Sequence, residues 1–247
     1  MRRRTTLASL FAACCLPNLA RAQETGWSYD GADGPAHWGQ LNGAFRACGD
    51  GSQQSPVDLQ DPIAARLPPA EVHWRPTPLS VVNPGFNMAL NPEPGSFMVL
   101  DGRRFDLLAV HFHQPGEHKL AGQGFPMSVH AVHRHANGDL AVLGLLVVEG
   151  AANPVLQPLW ATLPLLRGQR ARSDTIVRLP DLLPRRRDQY RYAGSLTTPP
   201  CTENVNWVLM VDPIELSKEQ LSAYVSAFPP HARPVQPLNR RYVLSPS

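Results

Sequence analysis

The sequence predicts a mainly β (α+β) fold: a single domain on one large, mostly antiparallel sheet, with few short helices. Three observations point there. Short apolar runs at Leu79–Val82, Phe105–Phe112, Met127–His133, Leu140–Val148 and Val205–Val211 have strand length and strand composition. Proline, glycine and asparagine pairs separate them, among the 26 prolines and 18 glycines of the 247-residue chain. Helical periodicity is confined to Pro154–Leu166 and Ser217–Phe228.

The individual signals have physical causes. Asn137-Gly138 between two of the runs supplies the positive φ that a tight hairpin turn needs. Ser217 with Gln220 three residues on forms a capping box and predicts a helix start. Neither repeats nor a long linker divide residues 23–247, so one domain is expected there.

The first 22 residues read as a signal peptide. Arg2, Arg3 and Arg4 precede an apolar stretch from Leu7 to Ala20, and Ala20-Arg21-Ala22 is a small-x-small cleavage site. The stretch is too short to span a bilayer, so no membrane anchor is expected after cleavage, and the product is expected to be periplasmic or secreted. Arg3-Arg4 before Thr5 and Thr6 also has a weak twin-arginine character. The whole chain carries 23 basic and 20 acidic residues. Removing the leader's four arginines leaves 19 and 20, a nearly neutral protein. That balance argues against nucleic-acid partners and makes Arg185-Arg186-Arg187 a solvated surface run. Removal also leaves two cysteines, Cys48 and Cys201. In an oxidising compartment they most simply pair, closing a loop of about 150 residues worth about 4–5 kcal/mol by chain entropy.

Residues 111–135 hold six of the nine histidines. His111 and His113 are two apart on a predicted strand and so leave the same face. His130 lies on the next strand, which can pair alongside. Three converging imidazoles with a fourth position open make a catalytic metal site of the zinc type, although imidazole alone also suits copper, iron or nickel. The same window fits a first cupin motif, with Glu117 and Gly124 following His111 and His113 at cupin spacings. A cupin-like metalloprotein is therefore an alternative on this window alone. His118 and His133 read as hydrogen-bonded structural histidines.

The wider pattern resembles the α-class carbonic anhydrases of exported bacterial type. It runs through Gln54-Ser55-Pro56-Val57-Asp58, HFHQPGEH at 111–118, FPMSVHAVH at 125–133, LAVLG at 140–144, GSLTTPPCTE at 194–203, Trp207, and Arg233-Pro234-Val235-Gln236-Pro237-Leu238. A second cupin motif, with Pro-x-Gly before a histidine, is not found. The resemblance implies zinc-dependent, reversible hydration of CO2 to bicarbonate and a proton, by attack of a zinc-bound hydroxide. It implies His111, His113 and His130 as the ligands of Zn2+. Thr197 would accept a hydrogen bond from the hydroxide and donate one to Glu117, whose ionised carboxylate can only accept. Val132, Val142, Leu196, Val205 and Trp207 would form an apolar CO2 wall, and Thr198 would lie near bicarbonate. Cys48 and Cys201 would be a disulfide tying the N-terminal segment to the Thr197 loop. CO2 and bicarbonate are the expected partners; a homodimer and a non-catalytic binding module of this family stay open.

Three departures from the family pattern stand out. Phe86 occupies the place of a proton-shuttle histidine, for which His37 and His73 are the remaining candidates. Ala109 and Ser128 replace hydrogen-bond acceptors for the first and third ligands, which predicts weaker zinc retention. Gly116 and Gln114 are expected to be neutral variation at the pocket rim.

Overall fold

The computed structural model describes residues 26–163 and 165–247. The predicted leader, residues 1–22, lies outside the described residues. Two short helices, α1 (Trp38–Leu41) and α2 (Ala47–Asp50), precede the strands. These begin with β1 (Asp58–Leu59), β2 (Ile63–Ala65), β3 (Glu71–His73), β4 (Thr77–Val82), β5 (Ala89–Leu90) and β6 (Phe97–Leu100). Next come β7 (Arg103–His113), β8 (Lys119–Leu120), β9 (Met127–His135) and β10 (Leu140–Glu149). After α3 (Gln157–Trp160) follow β11 (Arg170–Val177), β12 (Gln189–Ser195), β13 (Glu203–Met210) and β14 (Ile214–Leu216). Helix α4 (Lys218–Ala227) and β15 (Leu244–Pro246) complete the chain.

A 13-stranded sheet runs in the order β11-β4-β5-β7-β9-β10-β13-β12-β15-β2, with β14 beside β10 and the β3–β6 pair on β7. Most pairings are antiparallel, as the sequence predicts. Parallel pairing enters at β10–β13, β10–β14 and β15–β2, and in the separate β1–β8 pair. All five predicted strands are present, as β4, β7, β9, β10 and β13. The hairpin between β9 and β10 closes with His135 N–H donating to Asp139 O at 2.9 Å, and Gly138 takes φ 99°. The capping box of α4 forms in both directions between Ser217 and Gln220. The helix expected over Pro154–Leu166 shrinks to the four residues of α3. Pro154, Pro158 and Pro164 punctuate that stretch, and each lacks an N–H to donate.

Strand alternation sorts the centre of the sheet into two faces. Val110 and Phe112 of β7, Val129 and Ala131 of β9, and Leu143 and Leu145 of β10 belong to the main buried core. The opposite face carries Val142, Leu146, Val205, Trp207 and Leu209 in a second, smaller apolar cluster. Gly144 on that face is opposite His130, and a Cβ there would stand 3.3 Å from Leu209 Cγ. The second face is therefore packed closely around the histidine strands.

Cys48 and Cys201 are disulfide-bonded across 153 residues and sit in a third cluster with Trp38 and Phe45. No helix among the described residues is long and apolar enough to cross a membrane. His118 and His133 are fully buried. His118 Nε2 lies 2.7 Å from Tyr192 Oη, and His133 Nε2 accepts from Trp74 Nε1 at 3.0 Å. Arg186 is exposed and pairs with Asp188 and Asp212, in line with a solvated surface run.

Two outcomes are expected. Reducing the disulfide lowers unfolding free energy by up to about 4 kcal/mol, read as a lower urea midpoint with reductant; an unchanged midpoint contradicts the bracing role. Burial pulls the imidazoles of His118 and His133 down to about 3 and about 4. Unfolded histidines titrate near pH 6.5, so from about pH 7 down to about 4 the unfolded chain binds more protons. Stability is therefore present above that window and is lost as pH falls through it. The urea midpoint should drop between pH 7 and pH 5, and a rise would contradict this reading.

Candidate metal centre

Strands β7 and β9 are antiparallel neighbours at the middle of the sheet, and their register sets His111 directly opposite His130. His113, two residues on, shares the face with His111 and lies opposite Ser128. The three side chains each bring a ring nitrogen within 4.8 Å of the other two. His113 and His130 are buried and His111 is half-buried. Burial, and then the histidines' effect on one another, keeps these rings neutral: His111 is pulled down to about 4, His113 and His130 well below their ordinary value. Neutral imidazole is the metal-ligating form.

The fit to a metal rests on one atom in particular. His113 Nδ1 is 3.0 Å from the main-chain oxygen of His231, which fixes its proton there. His113 Nε2 then presents a bare lone pair; it is buried and has no hydrogen-bond partner. An unpaired buried acceptor is costly, and a cation among the three rings would satisfy it. His130 Nε2 lies 3.5 Å from Ser128 Oγ, an uncharged neighbour of the third histidine. Position 109 shares the face of His111 and offers it only a methyl group.

Glu117 is buried beside this cluster. Its Oε1 accepts from Arg233 N–H at 2.9 Å, and its Oε2 lies 3.6 Å from His130 Nδ1. Burial pushes its carboxyl up to about 8, against the Arg233 main-chain bond, the Thr197 hydroxyl and the Arg233 charge. Thr197 thus stands close enough to act on Glu117, although Oε2 has no partner at full hydrogen-bond geometry. Thr197 is buried and Thr198 half-buried in the loop that Cys201 closes, where Cys201 N–H donates to Thr198 O at 2.9 Å.

The five residues expected to form an apolar wall lie in one cluster. Val142, Val205 and Trp207 form the second cluster, with Val132 and Leu196 packed on it. Trp207 Nε1 donates to Ser195 O at 2.9 Å, which fixes the indole with its ring 4.9 Å from His130. Phe86 packs on Trp27 and Tyr29, at centroid distances of 4.9 and 5.5 Å, and has no proton to relay. His37 is exposed. His73 is stacked on Phe97 opposite the start of β7, at the end of that strand away from His113.

Three features go beyond the sequence reading. Gly116 is no rim variation: a Cβ there would stand 2.8 Å from the Met127 carbonyl oxygen, so close approach to β9 requires glycine. Gln54 and Arg233, noted only as motif letters, are buried partners. Arg233 donates to Gln54 Oε1, Ser55 O and Cys48 O, each at 2.8 Å, and Gln54 Nε2 donates to Cys201 O at 3.1 Å. They tie Glu117 to both ends of the disulfide. His231, which no sequence motif marks, lies beneath His113.

A model of the eukaryotic-type carbonic anhydrase family matches residues 33–247. The chain belongs to the alpha-class carbonic anhydrase family of enzymes. A carbonic anhydrase of Nostoc sp. is 39% identical over 246 residues, covering 97% of this chain and 93% of that protein. One from Pectobacterium carotovorum is 35% identical over 246 residues, covering 99% and 100%. The solved α-carbonic anhydrase of Thermovibrio ammonificans, in complex with sulfanilamide, superposes with a TM-score of 0.87 at 39% identity, over 89% of this chain and 99% of that one.

The methyl group at position 109 gives a sharp expectation. Ala109→Gln supplies an acceptor on the face of His111, and such partners are worth about 10–100-fold in metal affinity. Zinc should dissociate more slowly from this variant in chelator competition, and an unchanged or faster release would contradict it.

Proposed function

We propose that the protein reversibly hydrates CO2 to bicarbonate and a proton at a zinc ion held by His111, His113 and His130. The observation that carries this is the triad of neutral ring nitrogens, one of them buried and unpartnered, beside an apolar wall. When bound, zinc supplies positive charge that favours ionised Glu117 and lowers the pKa of a coordinated water to about 7, a value known from carbonic anhydrase itself.

The chain's own residues do the rest. Glu117, anchored at Oε1 by Arg233 N–H, can only accept when ionised, so it draws the Thr197 proton toward itself. Thr197 Oγ is then left as an acceptor and aims the lone pair of the nucleophile. Val132, Val142, Leu196, Val205 and Trp207 hold an uncharged, apolar substrate by contact and exclude water without offering it a hydrogen bond. Thr198, next in the loop, is placed for the polar product. The disulfide, Arg233 and Gln54 keep this loop at a fixed distance from Glu117. The N-terminal leader of the sequence and the disulfide support export to the periplasm or beyond.

Phe86 carries no exchangeable proton, so proton release to solvent limits turnover in weak buffer. Stopped-flow CO2 hydration should be abolished by chelator and restored by zinc. It should accelerate with added imidazole at fixed pH. Activity indifferent to chelation defeats the metal reading, and a high rate indifferent to buffer defeats the account of proton release.

A further inference from the structure

Outside the three histidines, the most heavily engaged imidazole near the site is His231. It is completely buried. Its main chain makes two bonds to the end of β7: His231 N–H donates to Gln114 O at 2.8 Å, and its carbonyl accepts from His113 Nδ1 at 3.0 Å. Its ring nitrogens face two further carbonyls, Nδ1 at 2.7 Å from Pro229 O and Nε2 at 3.0 Å from Phe112 O; a neutral imidazole has one N–H, and with the proton on Nε2 it donates to Phe112 O. One residue therefore grips three consecutive positions, 112, 113 and 114, of which the middle one is a ligand histidine and the first separates two of them.

The sheet explains why the ring is needed. Strand β5 is two residues long, and its pairing with β7 ends at Ala89 opposite His111. The next carbonyl on that edge, Phe112 O, finds no strand. A buried carbonyl without a donor is costly, and side chains take over: His231 Nε2 at 3.0 Å, Tyr224 Oη at 3.4 Å and Asn87 Nδ2 at 3.5 Å. The imidazole is the nearest of the three. Tyr224 of α4 and Phe228 flank the ring with centroids at 5.9 and 6.2 Å and hold its plane.

We propose that the His231 side chain is a positioning residue for the metal centre: by bracing the Phe112 carbonyl where the sheet stops, it fixes the main chain that aims His111 and His113. This rests on the reading that the three histidines hold a metal. Removing the ring leaves both main-chain bonds of residue 231 in place but frees the strand between the two ligands, so the cost falls on ligand convergence.

The test uses the mature chain without its leader as wild type, His231→Leu, His231→Gln and Tyr224→Phe. Zinc dissociation constants come from chelator competition, and visible spectra from the cobalt-loaded proteins. The melting temperature of each metal-free protein reports the fold. His231→Leu should bind zinc about 10–100-fold more weakly and shift the cobalt bands, beyond anything its metal-free melting temperature accounts for. His231→Gln, which keeps an N–H able to reach the Phe112 carbonyl, should recover most of both. Wild-type affinity and spectrum in His231→Leu, or a weaker affinity with an unchanged spectrum, overturns the proposal. If the leucine variant does not fold, Tyr224→Phe decides, because it removes the second donor to the same carbonyl: a several-fold loss with a shifted spectrum supports the brace, and no change overturns it. Failure of wild type itself to bind one zinc, or binding untouched by His113→Ala, is a different result and defeats the underlying metal reading.

Discussion

The pairing of β7 with β9 is the constraint on which the rest of the structure depends. In an antiparallel ladder, a residue and its direct partner present their side chains to the same face. The register that sets His111 against His130 therefore brings two imidazoles together, and the two-residue period of β7 adds His113. A slip of one residue would send that strand's histidines into the aliphatic core. The hydrophobic pattern guards against this, because Val110, Phe112, Val129 and Ala131 would then have to leave the core. The forces that fold the sheet thus also assemble the site.

Once three imidazoles converge, two of them buried and one half-buried, electrostatics governs their surroundings. None can be charged cheaply, and a cation among the rings would satisfy the unpartnered nitrogen of His113. Glu117 sits in the same apolar setting, its carboxyl raised by burial and restrained by the Arg233 main chain. Behind it, the Arg233 guanidinium and Gln54 reach both cysteines of the disulfide. A covalent bond, a buried cation and a carboxamide thus fix the spacing between Glu117 and the Thr197 loop. On the proposed function this rigidity serves orientation, since a small, uncharged substrate offers little binding energy of its own.

Much of this was legible in the sequence wherever chemistry and local pattern coincide. Alternation is legible over residues 110–113 and 127–131, Asn137-Gly138 marks its hairpin, and Ser217 with Gln220 marks the start of α4. Strand β12 escaped because its buried positions include Gln189 and Arg191, which read as surface residues. Arg191 is accommodated by Asp101 and the Pro68 carbonyl, partners some 90 and more residues away in the chain. The parallel β10–β13 pairing depends on a long crossover that no local signal encodes. The helix expected near Trp160 lost to its prolines. The constraint on Gly116 is not legible in the sequence, which does not show that the Met127 carbonyl lies against it. His231 escaped for a similar reason: its importance comes from where β5 ends, a property of the assembled sheet.

On the proposed function, one metal ion is held by these three rings and by no other side chain. Anomalous diffraction at the zinc edge, from crystals of the zinc-loaded mature protein, tests it most directly. A single peak is expected about 2.0–2.1 Å from a ring nitrogen of each of His111, His113 and His130, with Glu117 outside the coordination sphere. A peak elsewhere, or one held by two histidines and the Glu117 carboxylate, would contradict it.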